Sequence, residues 1–298
     1  MSQISDQFLG SKRSGYRVDR LLRPLWTTFC FALPFLFIIV PILAFLIQSF
    51  WYVEDGAIVR EFTIDNYVRL ATDGSSIPIF IKTCILAFEV MLVTLILGYP
   101  IAYLLWTLNE RLKYTLLLAF VIPLFMSYII KIYAIRTLLG RSGLINHILV
   151  FTGILDEPSA AFLFNLTSVK ISLVLILIPF TILPIFISLE RIPKNLLDAS
   201  SDLGGSGWQT FRRVVVPLSA AGVMTGGSFS FILAIGNFVT PQMVGGTTGF
   251  TYGRLIQSQF GMAFNWPFGA ALSVLLLVVV FVVIAVANWL GRTAGGPP

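Results

Sequence analysis

A single acidic residue interrupts a long apolar stretch of the chain. Glu89 lies within Leu86-Ala87-Phe88-Glu89-Val90-Met91, and a carboxylate inside a bilayer-spanning segment costs several kcal/mol unless it is paired or hydrated. If it faces a water-filled cavity, this carboxylate would attract a cation or take up a proton. If it pairs with Lys131 from the next apolar stretch, its role would be purely structural. The sequence leaves these alternatives open.

The other reactive residue types form no catalytic or metal-binding pattern. The single histidine, His147, has no acidic or cysteine neighbour at ligand spacing, and Cys30 and Cys84 both lie in apolar runs. The glycine-rich run 204–207 lacks the lysine of a phosphate-binding loop and follows no strand. We therefore expect no catalytic residue, no metal site, no cofactor and no ATP hydrolysis in this chain.

The composition places the chain among polytopic membrane proteins. Of its 298 residues, 57% are hydrophobic and 11% are charged, and the mean hydropathy is +0.89, which excludes an ordinary water-soluble domain. The net charge of +6 does not indicate nucleic-acid binding, because most basic residues flank apolar segments. About 26 mostly polar residues precede the first apolar run, so we expect a retained anchor and no cleavable signal peptide.

The apolar stretches predict six membrane spans, since about 20 apolar residues cross the hydrocarbon core. Twelve of the twenty Lys and Arg residues fall on one face, which the positive-inside rule makes cytoplasmic. Residues 1–26 and 292–298 would then be cytoplasmic tails, and 27–291 a transmembrane domain with a cytoplasmic loop at about 190–216. The predicted spans are about 27–50, 79–107, 114–138, 167–189, 217–242 and 269–291.

Four basic residues lie inside or at the ends of these spans. We expect each to extend its stem to the outer interface; they are Lys82, Lys131, Arg136 and Lys170. In the fifth span, small residues around Gly222 and Gly226 would let another helix backbone approach closely. That helix could belong to the same chain or to a second copy.

The loop at 190–216 predicts two short helices. Pro193 suits a first turn, and Gly204 can take the left-handed conformation that ends a helix. Leu196, Leu197, Ser200 and Leu203 would share one face. A capping box formed by Ser206 and Gln209 would start the second helix, which Arg212 and Arg213 would close. Helices this short need a larger body to hold them, either a docked protein or the lipid headgroups.

This loop resembles the Glu-Ala-Ala (EAA) motif of binding-protein-dependent import permeases. Asp198 stands for the glutamate, Ala199 matches, Ser200 stands for the second alanine, and Gly204, Val214, Val216 and Pro217 keep the spacing. The resemblance implies an all-α membrane protein with the type I ABC importer permease fold, in which the loop is a coupling helix inserted into a cytoplasmic ATPase subunit. The coupling residues would be Asp198, Ala199, Ser200, Asp202, Gly204, Ser206, Gln209 and Arg212.

Further motifs resemble the spermidine/putrescine permease subfamily. They are Ile64-Asp65-Asn66-Tyr67, Leu97-Gly98-Tyr99-Pro100, Gly236-Asn237-Phe238-Val239-Thr240-Pro241, Gly245-Gly246 and Asn265-Trp266-Pro267-Phe268-Gly269-Ala270-Ala271. The resemblance implies a permease subunit of the bacterial inner membrane that moves a small organic cation by alternating access. Its implied partners are an ATPase dimer that binds ATP and Mg²⁺, a second permease and a periplasmic binding protein.

Several alternatives to a polyamine importer stay open. Relatives of this subfamily import other organic solutes, including opine-like amino-acid conjugates, and Asn237 stands where spermidine-type relatives often have an acidic residue. A proton-coupled secondary transporter using Glu89, or a membrane scaffold without a pathway, would be rival classes. The candidate pathway residues are Glu89, Tyr99, Asn237, Phe238, Thr240 and Trp266, although Trp266 could simply anchor its helix at the interface.

Overall fold

The computed structural model describes Thr28, Phe29 and residues 32–294, the last three by their backbone alone. The whole predicted 1–26 tail, Cys30 and residues 295–298 therefore lie outside the described residues. The helices of the described part are α1 (Ala32–Gln48), α2 (Asp65–Thr72), α3 (Ser76–Thr107), α4 (Glu110–Phe125), α5 (Tyr128–Leu139), α6 (Leu144–Phe151), α7 (Leu166–Glu190), α8 (Lys194–Asp202), α9 (Gly207–Ile235), α10 (Val239–Val244), α11 (Tyr252–Gly261) and α12 (Trp266–Ala294). Strands β1 (Tyr52–Glu54) and β2 (Ala57–Val59) form one antiparallel hairpin between α1 and α2.

The described helices confirm a polytopic all-α membrane protein, although not the count of six spans. Four of them, α3, α7, α9 and α12, are long and apolar enough to cross a membrane. The α4 helix and the α5–α6 stretch pass the same test together as a pair bent by 105°, which gives up to five crossings. The apolar α1 helix is shorter.

The predicted third span, 114–138, is wrong as an unbroken helix. Met126 and Ser127 adopt extended backbone angles, with ψ of 146° and 133°, and the chain turns sharply between α4 and α5. Pro123 in the last turn of α4 removes one backbone donor from the ladder. The last bond runs from the Met126 amide to the Pro123 carbonyl at 3.3 Å.

The predicted fifth span, 217–242, is displaced toward the N-terminus. The α9 helix begins at Gly207 and ends at Ile235, and Gly236, Asn237 and Phe238 separate it from the short α10. A π-helical turn at Phe211–Val215 ends two residues before Pro217. Because Pro217 lacks an amide donor, we interpret this turn as the local adjustment that lets the helix continue.

The core is built around α7, which packs between α3 and α9. A Cβ atom at Gly222 would lie 2.6 Å from the Pro184 carbonyl oxygen, and one at Gly226 would lie 2.8 Å from the Thr181 carbonyl oxygen. These glycines therefore let α9 approach α7 of the same chain. Of the two predicted alternatives, a helix of the same chain or a helix of a second copy, the structure shows the first. Across α3 and α9, the buried hydroxyls of Thr94 and Ser230 are 2.8 Å apart.

One of the subfamily-like motifs connects the end of α1 to α2. The Asn66 side chain donates to the carbonyls of Ser49 and Trp51 at 2.9 and 2.6 Å, and the Tyr67 hydroxyl lies 2.7 Å from that of Ser49. The buried amide of Asn66 satisfies carbonyls that the end of a helix leaves without partners. The motif is thus a structural tie at the end of the first apolar helix.

Candidate coupling segment and candidate transport cleft

The candidate coupling segment, residues 190–216, begins with a short, well-defined helix. Pro193 stands at the N-cap of α8, which ends at Asp202, and Gly204 follows with φ of +78°. The amides of Gly204 and Gly205 donate to the carbonyls of Ser201 and Ser200, both at 2.9 Å. The predicted helix and its glycine stop are confirmed.

The second predicted helix is not a separate element. The capping box is present, since the Gln209 amide donates to Ser206 Oγ at 3.3 Å and the Ser206 amide donates to Gln209 Oε1 at 2.9 Å. The helix does not close at Arg213, however, but continues through the π-helical turn into α9. Because apolar residues follow directly after Arg213, the helix can enter the membrane region without a break.

A side-chain hydrogen bond holds α8 against the start of α9. Ser200 Oγ lies 2.8 Å from Thr210 Oγ1, and both side chains are half-buried. The predicted shared face is only partly confirmed, because Leu197 and Ser200 are half-buried while Leu196 and Leu203 are 42% and 89% exposed. Trp208 is also exposed, at 68%. Asp198, Ala199, Asp202, Gln209 and Arg212 are exposed beside them. Large exposed apolar side chains among charges are typical of a protein-binding surface.

An aromatic cluster joins the segment to α3. The ring centroid of Phe211 lies 5.2 Å from that of Tyr103, 5.5 Å from that of Trp208 and 6.1 Å from that of Tyr99. The Tyr99 hydroxyl lies 3.0 Å from Ser219 Oγ on α9. The structure therefore places Tyr99 beside the coupling segment and apart from the other candidate pathway residues.

A salt bridge connects α4 to the end of α7, where the segment begins. Lys113 Nζ in α4 lies 2.8 Å from Glu190 Oε1 at the end of α7. The side chains are 12% and 32% exposed, so solvent screens the pair only in part. This contact fixes the entry of the segment relative to α4.

Glu89 pairs with Lys170, so the alternative in which it pairs with Lys131 is wrong. Glu89 Oε2 contacts Lys170 Nζ on α7, so the expectation that Lys170 extends to the outer interface is also wrong. The turn between α4 and α5 explains the first error, because Lys131 follows it and lies over the ring of its neighbour Tyr128, 5.5 Å from the centroid. Lys170, one turn into α7, faces α3 instead.

The ion pair lies in an open cleft between α3 and α7. We call this the lysine–glutamate cleft; it has a volume of about 460 Å³ and is lined by Pro78, Ile81, Lys82, Ile85, Leu86, Glu89, Leu166 and Lys170. The side chains of Lys170 and Glu89 are 36% and 43% exposed. Lys82 Nζ donates to the Thr248 carbonyl at 2.6 Å. The cleft thus combines apolar walls with two ammonium groups and one carboxylate.

A second polar cluster joins the two places where apolar helices break. The Asn237 amide donates to the Tyr128 hydroxyl, which lies 2.8 Å from Thr240 Oγ1. Asn237 Oδ1 accepts from the Thr240 amide at 3.0 Å. We call Tyr128, Asn237 and Thr240 the break junction, because they connect the start of α5 to the α9–α10 turn. Irregular backbone inside a membrane must be buried in protein or line a hydrated cavity.

The six candidate pathway residues do not converge on one pocket. Asn237 and Thr240 meet in the break junction, and Phe238 between them is 40% exposed. Trp266 begins α12, is 44% exposed and packs edge-on against Phe260 with centroids 5.9 Å apart. In the part of the chain that the structure describes, no group of three or more His, Cys, Asp or Glu side chains could hold a metal ion.

Sequence reasoning missed two residues that the structure brings into these clusters. The sequence predicts Lys170 at the interface, because the residue lies only a few positions after the start of a span and no short-range pattern indicates a partner. Tyr128 was not singled out, although Pro123 upstream indicated a break in the helix. A proline in a predicted span, followed by a polar Ser-Tyr pair, was the signal that could have found it.

Comparison with known proteins agrees with this architecture. The family described as "Binding-protein-dependent transport system inner membrane component" matches residues 8–294. The "Spermidine/putrescine transport system permease protein PotB" of Salmonella typhimurium is 35% identical over 245 residues, covering 82% of this chain and 85% of the relative.

Two solved structures share the fold. The bacterial alginate ABC transporter, in complex with an alginate pentasaccharide-bound periplasmic protein, matches with a TM-score of 0.74 and 17% identity, covering 94% of this chain and 98% of the other. The MetNI methionine ABC transporter, in inward-facing conformations, matches with a TM-score of 0.56 and 18% identity, covering 73% and 95%. The fold, the family match and the similarity to PotB lead to one conclusion: this chain belongs to the binding-protein-dependent transport system inner membrane components and is a permease subunit of an ABC importer.

Proposed function

We propose that this permease subunit moves a small organic solute bearing an ammonium group, of the class that includes spermidine and putrescine. The similarity to PotB supports this class, and Glu89 supplies a carboxylate for it. The partners would be a cytoplasmic ATPase dimer that binds ATP and Mg²⁺, a second homologous permease and a periplasmic binding protein. Alternating access would deliver the solute to the cytoplasm.

The observation that carries the proposal is a rigid, exposed segment connected to the membrane helices. Asp198, Ala199, Ser200, Asp202, Gly204, Ser206, Gln209 and Arg212 form or border this segment, with Leu203 and Trp208 exposed among them. An ATPase subunit that covers these apolar side chains would remove them from water. It would also hold α8, which is too short to be stable alone.

Phe211 is the residue through which movement of the segment would reach α3. Its ring touches Tyr99 and Tyr103 of α3, while its own backbone belongs to α9. A displacement of the segment by the ATPase would therefore move α3 and α9 together. Packed aromatic rings transmit such a displacement because protein interiors are dense and deform little.

Glu89 is the candidate for contact with the ammonium group. Within the four long apolar helices of the described part it is the one carboxylate that does not lie at a helix end. Its 43% exposure in the isolated subunit leaves it accessible from the cleft. The break junction supports a pathway nearby, since discontinuous helices mark the binding sites of many transporters.

The proposed orientation places both termini in the cytoplasm of a bacterium, with the chain in its inner membrane. The excess of Lys and Arg in the two tails and in the loops at 108–113 and 190–216 supports this orientation. It brings the coupling segment to the side of the ATPase. Cysteine labelling at position 203 from either side of sealed vesicles would check it.

Transport by the assembled complex in proteoliposomes tests the proposal. Phe211→Leu keeps an apolar side chain but removes ring contacts worth about 0.5–1.5 kcal/mol each, so uptake per ATP hydrolysed should fall severalfold while the ATPase stays bound. Phe125→Leu, which changes an 87% exposed ring at the end of α4, is the control. Glu89→Gln should weaken uptake of putrescine or spermidine. Unchanged coupling in the Phe211 variant, or unchanged uptake in the Glu89 variant, would contradict the proposed role of that residue.

A further inference from the structure

The loop at residues 245–250, between α10 and α11, is held in one backbone conformation by close packing. A Cβ atom at Gly246, where φ is +57°, would lie 2.9 Å from the Phe164 carbonyl carbon, and one at Gly245 would lie 2.8 Å from the Gly249 carbonyl oxygen. The two threonines of the loop are exposed at its tip. Because the backbone is already ordered, the loop would lose little conformational entropy when a partner binds it.

Three cationic side chains surround the 245–250 loop. Lys82 Nζ donates to the Thr248 carbonyl at 2.6 Å, and Arg254 Nη1 donates to a second carbonyl of the loop at 3.3 Å. The guanidinium of Arg136 lies 5.2 Å from the ring centroid of Phe164, whose backbone packs against the loop. Neither of the two ion pairs in the described part of the chain includes any of these three cations. Their charges therefore stay available to an acidic partner.

The nearby carboxylates of the loop before α7 do not lie beside these three cations in the chain. Asp156 and Glu157 directly precede Pro158, whose carbonyl accepts from Arg141 Nε at 3.2 Å. The basic residue brought next to them is thus Arg141. The surface at the 245–250 loop keeps its positive charge.

The opposite sign of charge gathers on the segment that joins α1 to α3. Residues 54–73 carry five acidic and two basic side chains. This segment leads directly into α3, and Lys82 of the basic cluster lies in the second turn of the same helix, so the two charged regions share one end of α3. The exposed acidic side chains before and at the start of α2 are Glu54, Asp55, Glu61 and Asp65.

This end of α3 lies far from the coupling segment. The 21 positions from Lys82 to Tyr103, which touches Phe211, correspond to roughly 31 Å of helix at 1.5 Å per residue. That length is about the thickness of the hydrocarbon core, and α3 is long and apolar enough to cross it. Both charged regions therefore face the side opposite the coupling segment. Resting on the proposed function, which places the ATPase at that segment, they face the periplasm.

We propose that the periplasmic binding protein docks on this face in one orientation, with an acidic surface over the 245–250 loop and a basic surface over residues 54–65. The family to which the chain belongs is described as binding-protein-dependent. Complementary charges speed the encounter and fix its register, whereas the reversed orientation would bring like charges together. An anionic lipid headgroup would satisfy the basic cluster alone and would leave the acidic region without a partner.

Arg136→Glu and Arg60→Glu form a matched pair of variants. Each guanidinium lies over an aromatic ring, 5.2 Å from the centroid of Phe164 for Arg136 and 5.5 Å from that of Trp51 for Arg60, so each variant loses the same kind of contact and reverses the same charge. The complex of both permeases and the ATPase is placed in phosphatidylcholine nanodiscs. ATP hydrolysis is then measured against the concentration of solute-loaded binding protein.

The two variants should shift the half-maximal concentration of binding protein in opposite directions. At low salt we expect Arg136→Glu to raise it about tenfold and Arg60→Glu to lower it about threefold, with the maximal rate unchanged. Both shifts should become much smaller in about 0.5 M salt, where the Debye length falls to roughly 4 Å. Thr247→Glu, which leaves both arginines in place and adds a carboxylate at the exposed tip of the loop, should raise the half-maximal concentration about threefold.

The docking inference is wrong if the two arginine variants shift the half-maximal concentration in the same direction, or if Thr247→Glu leaves it unchanged. It is also wrong if Arg136→Glu acts only after phosphatidylglycerol is added to the nanodiscs, because the cluster would then bind lipid headgroups. In each of these cases the binding protein still stimulates the unsubstituted complex, and the proposed function stands. If no stimulation occurs in the unsubstituted complex, the proposed function itself fails.

Discussion

At the scale of single residues, Gly204 is constrained by its backbone conformation and not by contacts with neighbouring atoms. Its φ of +78° is unfavourable for residues with a side chain, yet a Cβ placed there would meet no atom within 4 Å. Gly207, five residues after the end of α8, also has open space around a Cβ but no positive φ. The two positions therefore differ in conformation while sharing a solvent-exposed setting.

Gly204→Ala should weaken coupling without affecting insertion. The left-handed conformation costs a residue with a Cβ about 1–2 kcal/mol, so α8 would end differently and present a changed surface to the ATPase. We expect permease-stimulated ATP hydrolysis to fall about fivefold or more, the factor that corresponds to one kcal/mol or above. Gly207→Ala is the control, and equal hydrolysis by the two variants would rule out a role for the glycine turn.

At the scale of elements, the close approach of α9 to α7 depends on glycines. A Cβ at Gly226 would lie 2.8 Å from the Thr181 carbonyl oxygen and 3.2 Å from the Thr181 Cα atom. These are backbone atoms that no rotamer change can move away. The helices must separate to accommodate any larger residue at this position.

Gly226→Ala should therefore destabilise the subunit. Overpacking of a dense core costs about 1–3 kcal/mol, which should lower the apparent unfolding midpoint in detergent by several degrees. Gly291→Ala in α12 is the matched control, because a Cβ there meets no atom within 4 Å. An equal midpoint for both variants would show that α7 and α9 adjust freely.

The elements predicted from sequence were those with local causes. The α8 helix, its stop at Gly204 and the capping box of Ser206 and Gln209 depend on residues within four positions of each other, and all three are present. The 105° bend was not predicted, because Pro123 alone does not distinguish a bend from a continuous helix: Pro100, Pro179 and Pro184 all lie inside unbroken helices. The partner of Glu89 depends on how α3 and α7 pack, which no short-range pattern encodes.

At the scale of the whole molecule, α9 connects the two candidate functional regions. Its 29 residues correspond to roughly 43 Å at 1.5 Å per residue. At one end its first turns carry Phe211, which touches α3, and just beyond the other end Asn237 bonds to Tyr128. A displacement at the coupling segment would therefore reach the break junction through one rigid element packed closely on α7.

The Tyr128 hydroxyl is the atom on which that junction depends, since it bonds to both Asn237 and Thr240. Tyr128→Phe would remove the partner of the Asn237 side-chain nitrogen and of the Thr240 hydroxyl, at a cost of about 1–3 kcal/mol in the state where the junction is formed. We expect the balance between transport states to shift, and basal ATP hydrolysis by the assembled complex to change about tenfold with little effect on ATPase binding. Tyr133→Phe, on the same helix at a 53% exposed ring, is the control.

A double-mutant cycle with Thr240→Val tests whether the Tyr128 hydroxyl contact takes part in the transport cycle. Additive effects of the two substitutions on ATP hydrolysis would show that the contact is not coupled to the cycle, whereas non-additive effects would place the break junction within it.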